Sequence, residues 1–401
     1  MTTKTFAFGL VLLAGCMKAN PNFLSPDGNN GSNGSNGSNG SDGGMGSGCI
    51  ASSCTGMTPV CESNGSCGPC ASDADCSGAT PTCLPSGACA GDADLAYVTA
   101  TGSDVNACTI EAPCATVTHA MTVKSTVVLT GMANDDGLAI TQGTDATILG
   151  RGSAVIAADS GNVLTLSSGN FELYDTQLYC KAGGISGINS STSGTLTLQD
   201  DSIGVCPTGI KMTGGALVAK RIEVYSNSGG GILLTSTAFD IVNGLIHDNG
   251  TAGTGVGASQ FGGVSITSSP SATDTIQFTT VANNHAGTGA VGGIACTGQD
   301  PLKALTFSDN IVAGNDQFGT VETSGTNCAY TYTDFYPAAA EIAGSGNGSG
   351  DPMFVSTTDF HITTNSAAKD AAAPNASLDI DFYGNPRPVG AGYDMGADEF
   401  Q

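Results

Sequence analysis

The chain has 401 residues, 35 acidic and 11 basic, so its formal net charge is −24 although only 11% of residues are charged. That balance excludes nucleic acid and anionic lipid as electrostatic partners. Glycine reaches 59 residues and tryptophan is absent. Without a Gly-X-Y period or a long proline run, collagen is excluded and glycine-punctuated β structure is expected.

The amino terminus, MTTKTFAFGLVLLAGC, carries one early lysine, Lys4, and then an apolar run from Thr5 to Gly15. The run is too short to span a bilayer and predicts a signal peptide over 1–15. Its end, Leu13-Ala14-Gly15-Cys16, resembles the lipobox of bacterial lipoproteins. The resemblance implies that Cys16 is lipidated and that the membrane is a partner through this anchor. With Met17 and Lys18 next, and no aspartate, the analogy points to the outer membrane or cell surface. An ordinary signal peptide with a coincidental cysteine is the competing reading. Setting Cys16 aside leaves fourteen of the fifteen cysteines, an even number suited to disulfides in an oxidising compartment.

Residues 16–48 are dominated by GNNGSNGSNGSNGSDGGMGSG, which has no apolar period and predicts a flexible tether. Residues 49–91 hold two copies of one pattern, CIASSCTGMTPVCESNGSC and CASDADCSGATPTCLPSGAC. Each copy has four cysteines, so pairing within a copy is expected, with three connectivities open. Cys67 and Cys70 form a C-x-x-C, but the pair straddles the junction and the module has no histidine. A disulfide-stapled spacer is therefore preferred over a zinc site.

From residue 92 short alternating apolar runs recur, closed by Gly, Asn, Asp or Ser. The phrases Gly184-Ile185, Gly209-Ile210, Gly231-Ile232, Gly263-Val264 and Gly293-Ile294 recur at intervals of 25, 22, 32 and 30 residues. Between them lie the pairs Phe171/Leu173, Leu196/Leu198, Leu217/Ala219, Phe239/Ile241 and Ile276/Phe278. A lone aliphatic follows at Leu178, Ile203, Val224 and Ile246. Three short strands per repeat, with no helix between them, predict an all-β parallel β-helix of seven or eight coils over 92–401. A short capping helix is expected within 96–123 and a C-terminal cap over 345–401.

The phrases YVTATGSDVNACTIEAPCATVTHAM and DPMF…DFHIT…SAAKDA…DIDFYGNPRP…YDMGADEF resemble secreted bacterial right-handed parallel β-helix repeat proteins of the pectate-lyase-like superfamily. The resemblance covers 92–401. It implies the fold firmly, and activity only loosely, because the superfamily includes lyases, hydrolases, epimerases and adhesins. It also implies that chemistry, where present, sits on the outer face of the strand opened by each Gly-Ile, with calcium on aspartates and a lysine or arginine base.

Read by alternation, that face presents Ser186, Lys211, Leu233, Ser265 and Ala295, with one base and no acid. Lys220 and Arg221, in register with Asp200-Asp201 and Val242-Asn243, are expected at the turn after the second strand. There they would join a polar ladder of Asp175, Asp200/Asp201, Asn243, Thr279/Thr280 and Asp309/Asn310. His247 is expected as a solvent-facing turn residue, and His119, His285 and His361 are too scattered to form a metal site. Asp379-Ile380-Asp381 reads as cap structure, and Arg387 as a partner of the acids in DMGADEF.

Cys108 with Cys114, and Cys180 with Cys206, are candidate disulfides, which leaves Cys296 and Cys328 for a third. The preferred function is a lipid-anchored, structural, adhesive or glycan-binding surface protein whose partner is a polysaccharide or surface protein, with no cofactor read from the residues. The alternative is a lyase, hydrolase or epimerase acting on an acidic glycan through Lys211, Lys220, Arg221 and His247, with calcium as its cation.

Overall fold

A computed structural model describes residues 54–63, 65–140, 145–254, 256–267, 273–297, 305–317, 323–324, 328–337 and 343–401. The signal peptide, Cys16 and the tether lie outside the described residues. Among the described residues no helix is long and apolar enough to cross a membrane.

The described residues between 95 and 336 wind into a parallel β-helix with three sheets along its length. The first sheet contains Thr208–Thr213, Ile232–Thr235, Val264–Thr267 and Ile294–Thr297. The second contains Thr195–Gln199, Ala216–Lys220, Ala238–Val242, Thr275–Gln277, Leu305–Ser308 and Cys328–Thr331. The third contains Ser202–Gly204, Glu223–Tyr225, Leu245–His247, Thr280–Ala282, Ile311–Ala313 and Asp334–Tyr336. Ahead of these, Ala146–Leu166 and Phe171–Ser190 each bend through all three sheets. Every pairing between successive coils is parallel.

Inward side chains stack in rows. The third sheet aligns Ile156, Leu178, Ile203, Val224, Ile246, Val281, Val312 and Phe335, each at most 1% exposed. Burying each such side chain contributes about 2 kcal/mol. No single coil could bury its row alone, so stacking and folding are one event.

The recurring Gly-Ile has a steric cause. A Cβ on Gly209 would lie 2.6 Å from the carbonyl oxygen of Gly231, and one on Gly231 would lie 2.5 Å from that of Gly263. The backbones meet too closely there for any side chain, and the following Ile or Val turns into the core. GGISGIN holds two such phrases, and the one in register is Gly187-Ile188 rather than Gly184-Ile185. Ile188, not Ile185, pairs with Ile210, and Ile185 is exposed. Asn189 therefore takes the outward position given above to Ser186. Ile276 likewise pairs with Ile241 rather than with Phe239, which puts Phe278 in the corner at φ 48°.

That corner, between the second and third sheets, is a row of left-handed residues: Asp175, Asp200, Arg221, Asn243, Phe278, Asp309 and Tyr332. Lys220 aligns with Val242 as expected, but on the other side it aligns with Gln199 and Arg221 with Asp200, one residue from the expected Asp200-Asp201 register. The expected polar row Asp175, Asp200, Arg221, Asn243 and Asp309 thus stands at this corner, and a separate asparagine ladder lies at the next one. Asn227, Asn249, Asn284 and Asn315 pass amide hydrogen bonds of 2.8–2.9 Å from coil to coil. Their Nδ2 groups also donate to the carbonyls of Ile203, Val224, Ile246 and Val281.

At the amino-terminal end, the helix Val117–Val123 packs Val117 and Ala120 against the first strands. Disulfides join Cys108 to Cys114, Cys180 to Cys206 and Cys296 to Cys328. In the cysteine-rich module, disulfides between described residues include Cys54–Cys67, Cys70–Cys83 and Cys76–Cys89. Cys67 and Cys70 thus enter different disulfides.

The second cysteine repeat and the C-terminal segment lie on the outside of the coil. The second cysteine repeat docks on the second sheet, where Ala90 and Leu84 pack with Leu95, Tyr97, Val128, Leu149 and Tyr174. Arg151 fixes it by donating to both oxygens of Asp73, at 2.7 and 3.0 Å, and to the Cys83 carbonyl. This repeat thus packs directly against the coil. The C-terminal segment lies along the third sheet, covering several coils. Phe360 packs on Leu245 and Ala282, while Ile362, Ala368 and Met395 pack on Ile311 and Ala313.

Candidate functional site

Strand alternation decides what each sheet shows outside, and the two docked segments decide how much of that remains open. The four basic candidates are distributed around the coil, not gathered. Lys211 points out from the first sheet between Asn189 and Leu233, and is exposed. Lys220 is exposed at the end of the second sheet in the same coil. Arg221 follows at the corner. His247 lies one coil further, on the third sheet, beneath the C-terminal segment.

Arg221 is held by its neighbour. Its Nε and Nη2 donate to the two oxygens of Asp200 at 2.5 and 2.6 Å. This bidentate pair supports an arginine in a left-handed conformation that a residue with a Cβ otherwise disfavours. Asp175 stands one coil away. Burial pushes its carboxyl up to about 7, the Asp200 charge adds to this, and Arg151 opposes it. Asp201 is fully buried and its pKa rises well above the usual range through desolvation, although its oxygens accept from the Thr176 and Gln199 amides. Asp201 is therefore a fastening of the wall.

His247 is not the solvent-facing residue expected from sequence. Its Nδ1 lies 2.8 Å from Asp248 Oδ2 and its Nε2 lies 3.1 Å from Glu223 Oε1. The ring stacks near Tyr225, and Phe360 approaches from the C-terminal segment with a centroid distance of 4.8 Å. Burial alone would lower its pKa, but the bonds to Asp248 and Glu223 outweigh burial and raise it to about 8. His361 is similarly bound to Asp359 and stacked on Tyr383. Arg387, whose side chain is fully buried, donates to Glu399 and to the carbonyls of Asp394 and Gly396.

Among the described residues, two cysteine clusters have metal-like spacing, Cys70/Cys76/Cys83 and Cys108/Cys114/His119. Their cysteines are all in disulfides, so no thiolate is available to a metal.

The open part of the second sheet offers a feature that sequence reading missed. Asp145, Ala146, Thr147, Asn170, Glu172, Thr195 and Thr197 line a shallow depression of about 310 Å³. Asp145 accepts from the Asn170 amide groups, and Asn170 accepts from the Thr195 N–H, so the rim repeats from coil to coil. Glu172 accepts from Thr147 and Tyr174 hydroxyls. The outward row Thr147, Glu172, Thr197 was readable from alternation, but nothing in the sequence marked it as concave.

No family model matches this chain, and no curated protein matches it. Among solved structures, the crystal structure of pectate lyase Pel9A is similar over 77% of this chain and 96% of that chain, with a TM-score of 0.45 and 14% identity. Such a likeness transfers no residue role. The coordinates themselves define the class, an all-β parallel β-helix with a disulfide-rich amino-terminal module.

Proposed function

We propose that this chain is an exported β-helix, anchored to the outer membrane or cell surface through a lipid on Cys16, whose open sheet faces contact neutral glycans. The observation that carries this reading is the composition of the second-sheet depression. Thr147, Thr195, Thr197 and Asn170 line this shallow depression beside the carboxylates of Asp145 and Glu172. Hydroxyl-rich ligands suit such a lining, whereas Asp145 and Glu172 repel a polyanion. The structural engagement of Arg221 and His247 supports a binding surface over a catalytic one.

The test is a glycan array probed with the full chain. Retention on neutral glycans, weakened by Glu172→Ala or Thr197→Val, supports the proposal, and binding confined to uronates refutes it. Loss of lipid labelling in Cys16→Ser tests the anchor.

A second reading, a lyase, hydrolase or epimerase on an acidic glycan, is favoured by the exposure of Lys211 and Lys220 on one coil. Chain cleavage of pectate or alginate, with or without calcium, that disappears in Lys211→Ala or Lys220→Ala would establish it.

A further inference from the structure

The two nitrogens of His247 both face carboxylate oxygens, Asp248 Oδ2 at 2.8 Å and Glu223 Oε1 at 3.1 Å. An ionised carboxylate only accepts, so both contacts are hydrogen bonds only when the ring carries two protons. A neutral ring would turn one lone pair toward a carboxylate. The groups around the ring are Glu223 and Tyr225 on the preceding coil and Asp248 beside it. From the C-terminal segment come Phe360 with its neighbours Asp359 and His361, and Tyr383, which feels the Glu223 charge. Phe360 is 3% exposed and packs with Leu245, Ala282, Phe354 and Phe382, so the hairpin of Phe354–Ser356 and Asp359–Ile362 is seated over this histidine.

We propose that His247, as an imidazolium shared between Glu223 and Asp248, is an alkaline-sensitive latch for the C-terminal segment. Protonated, it completes the surface on which Phe360 sits. Deprotonated, it sets a lone pair against a carboxylate, the side chains rearrange, and the hairpin loosens from the third sheet, uncovering Leu245 and Ala282. The raised pKa of about 8 sets the sign: the stabilisation is complete below the ordinary histidine value of 6.5 and is lost as pH rises through about 8. This latch is independent of the ligand proposed for the second sheet.

The test is hydrogen exchange of the full chain at pH 7 and 9.5, corrected for intrinsic rates. Protection across 354–362 is expected to fall about tenfold, while the core strand 195–199 is unchanged. In Glu223→Gln the amide can donate to Nε2 while Nδ1–H donates to Asp248, so a neutral ring is satisfied and protection persists at pH 9.5. Protection of 354–362 that is flat with pH in the wild type, or an unchanged step in Glu223→Gln, overturns the latch. An NMR titration of His247 in the wild type provides the second measurement. Its midpoint should coincide with that of the loss of protection, and a separation of more than about one pH unit also overturns the proposal.

Discussion

The second cysteine repeat and the C-terminal segment both cover an outer sheet face, yet they are held in opposite ways. The repeat is stapled internally by Cys70–Cys83 and Cys76–Cys89 and meets the coil through an apolar patch and the Arg151–Asp73 pair. The C-terminal segment has no cysteine and is fastened by buried carboxylates. Asp381, Asp394, Asp398 and Glu399 are each at most 2% exposed and accept backbone N–H groups from across the segment. Covalent stapling is indifferent to pH and vulnerable to reductant, and carboxylate fastening is the reverse.

The largest effect that would sharpen this contrast is at Arg387. Replacing it with alanine strips the compensation from Glu399 and two carbonyls, at a cost of about 3–5 kcal/mol. Denaturant unfolding should show that loss, and exchange protection should collapse over 354–400 while the cysteine repeat is unaffected. Next, removing Cys76–Cys89 as a double serine variant opens a loop of 13 residues, expected to cost about 3 kcal/mol. Proteolysis should then cut within 70–91 and spare the C-terminal segment.

The pH response is smaller and follows from sign. Burial raises the carboxyls of Asp334 and Asp398 to about 6 and that of Asp175 to about 7. Because these folded pKa values exceed the unfolded ones, ionisation penalises the fold above them. The penalty is relieved as pH falls through 7 and 6, and His247 acts in the same direction through 8. Melting temperature should therefore rise between pH 8.5 and pH 5.5, and a fall over that range would break the account. Smallest is Asp73→Ala, expected to cost about 1 kcal/mol because the partly exposed pair is bidentate but screened. Its signature is faster exchange in 70–91 alone.

The coil itself was legible because its signal repeats. Glycine at each close backbone approach and an aliphatic at each inward position recur every coil, and a reader can align them without coordinates. Errors arose where local repetition misled, as in GGISGIN, or where a coil changed length, as before Ile276. The site was far less legible. His247 reads as a turn residue until Phe360 arrives, and Asn243 reads as a ladder rung until its amide meets the Ile380 carbonyl, 137 residues away. Contacts of that range leave no period in a sequence. The same holds for Arg151, whose partner Asp73 lies in a differently patterned module.

The column of glycines at the start of the first sheet has a consequence for how such a chain can grow. Gly209 makes against Gly231 the same approach that Gly231 makes against Gly263. Excising 210–231 would set Gly209 directly before Ile232 and renew that contact, whereas removing half of that stretch would leave a side chain where none fits. Length is thus inherited in whole-coil increments, and duplication or loss of one unit is the mutational step this architecture tolerates best.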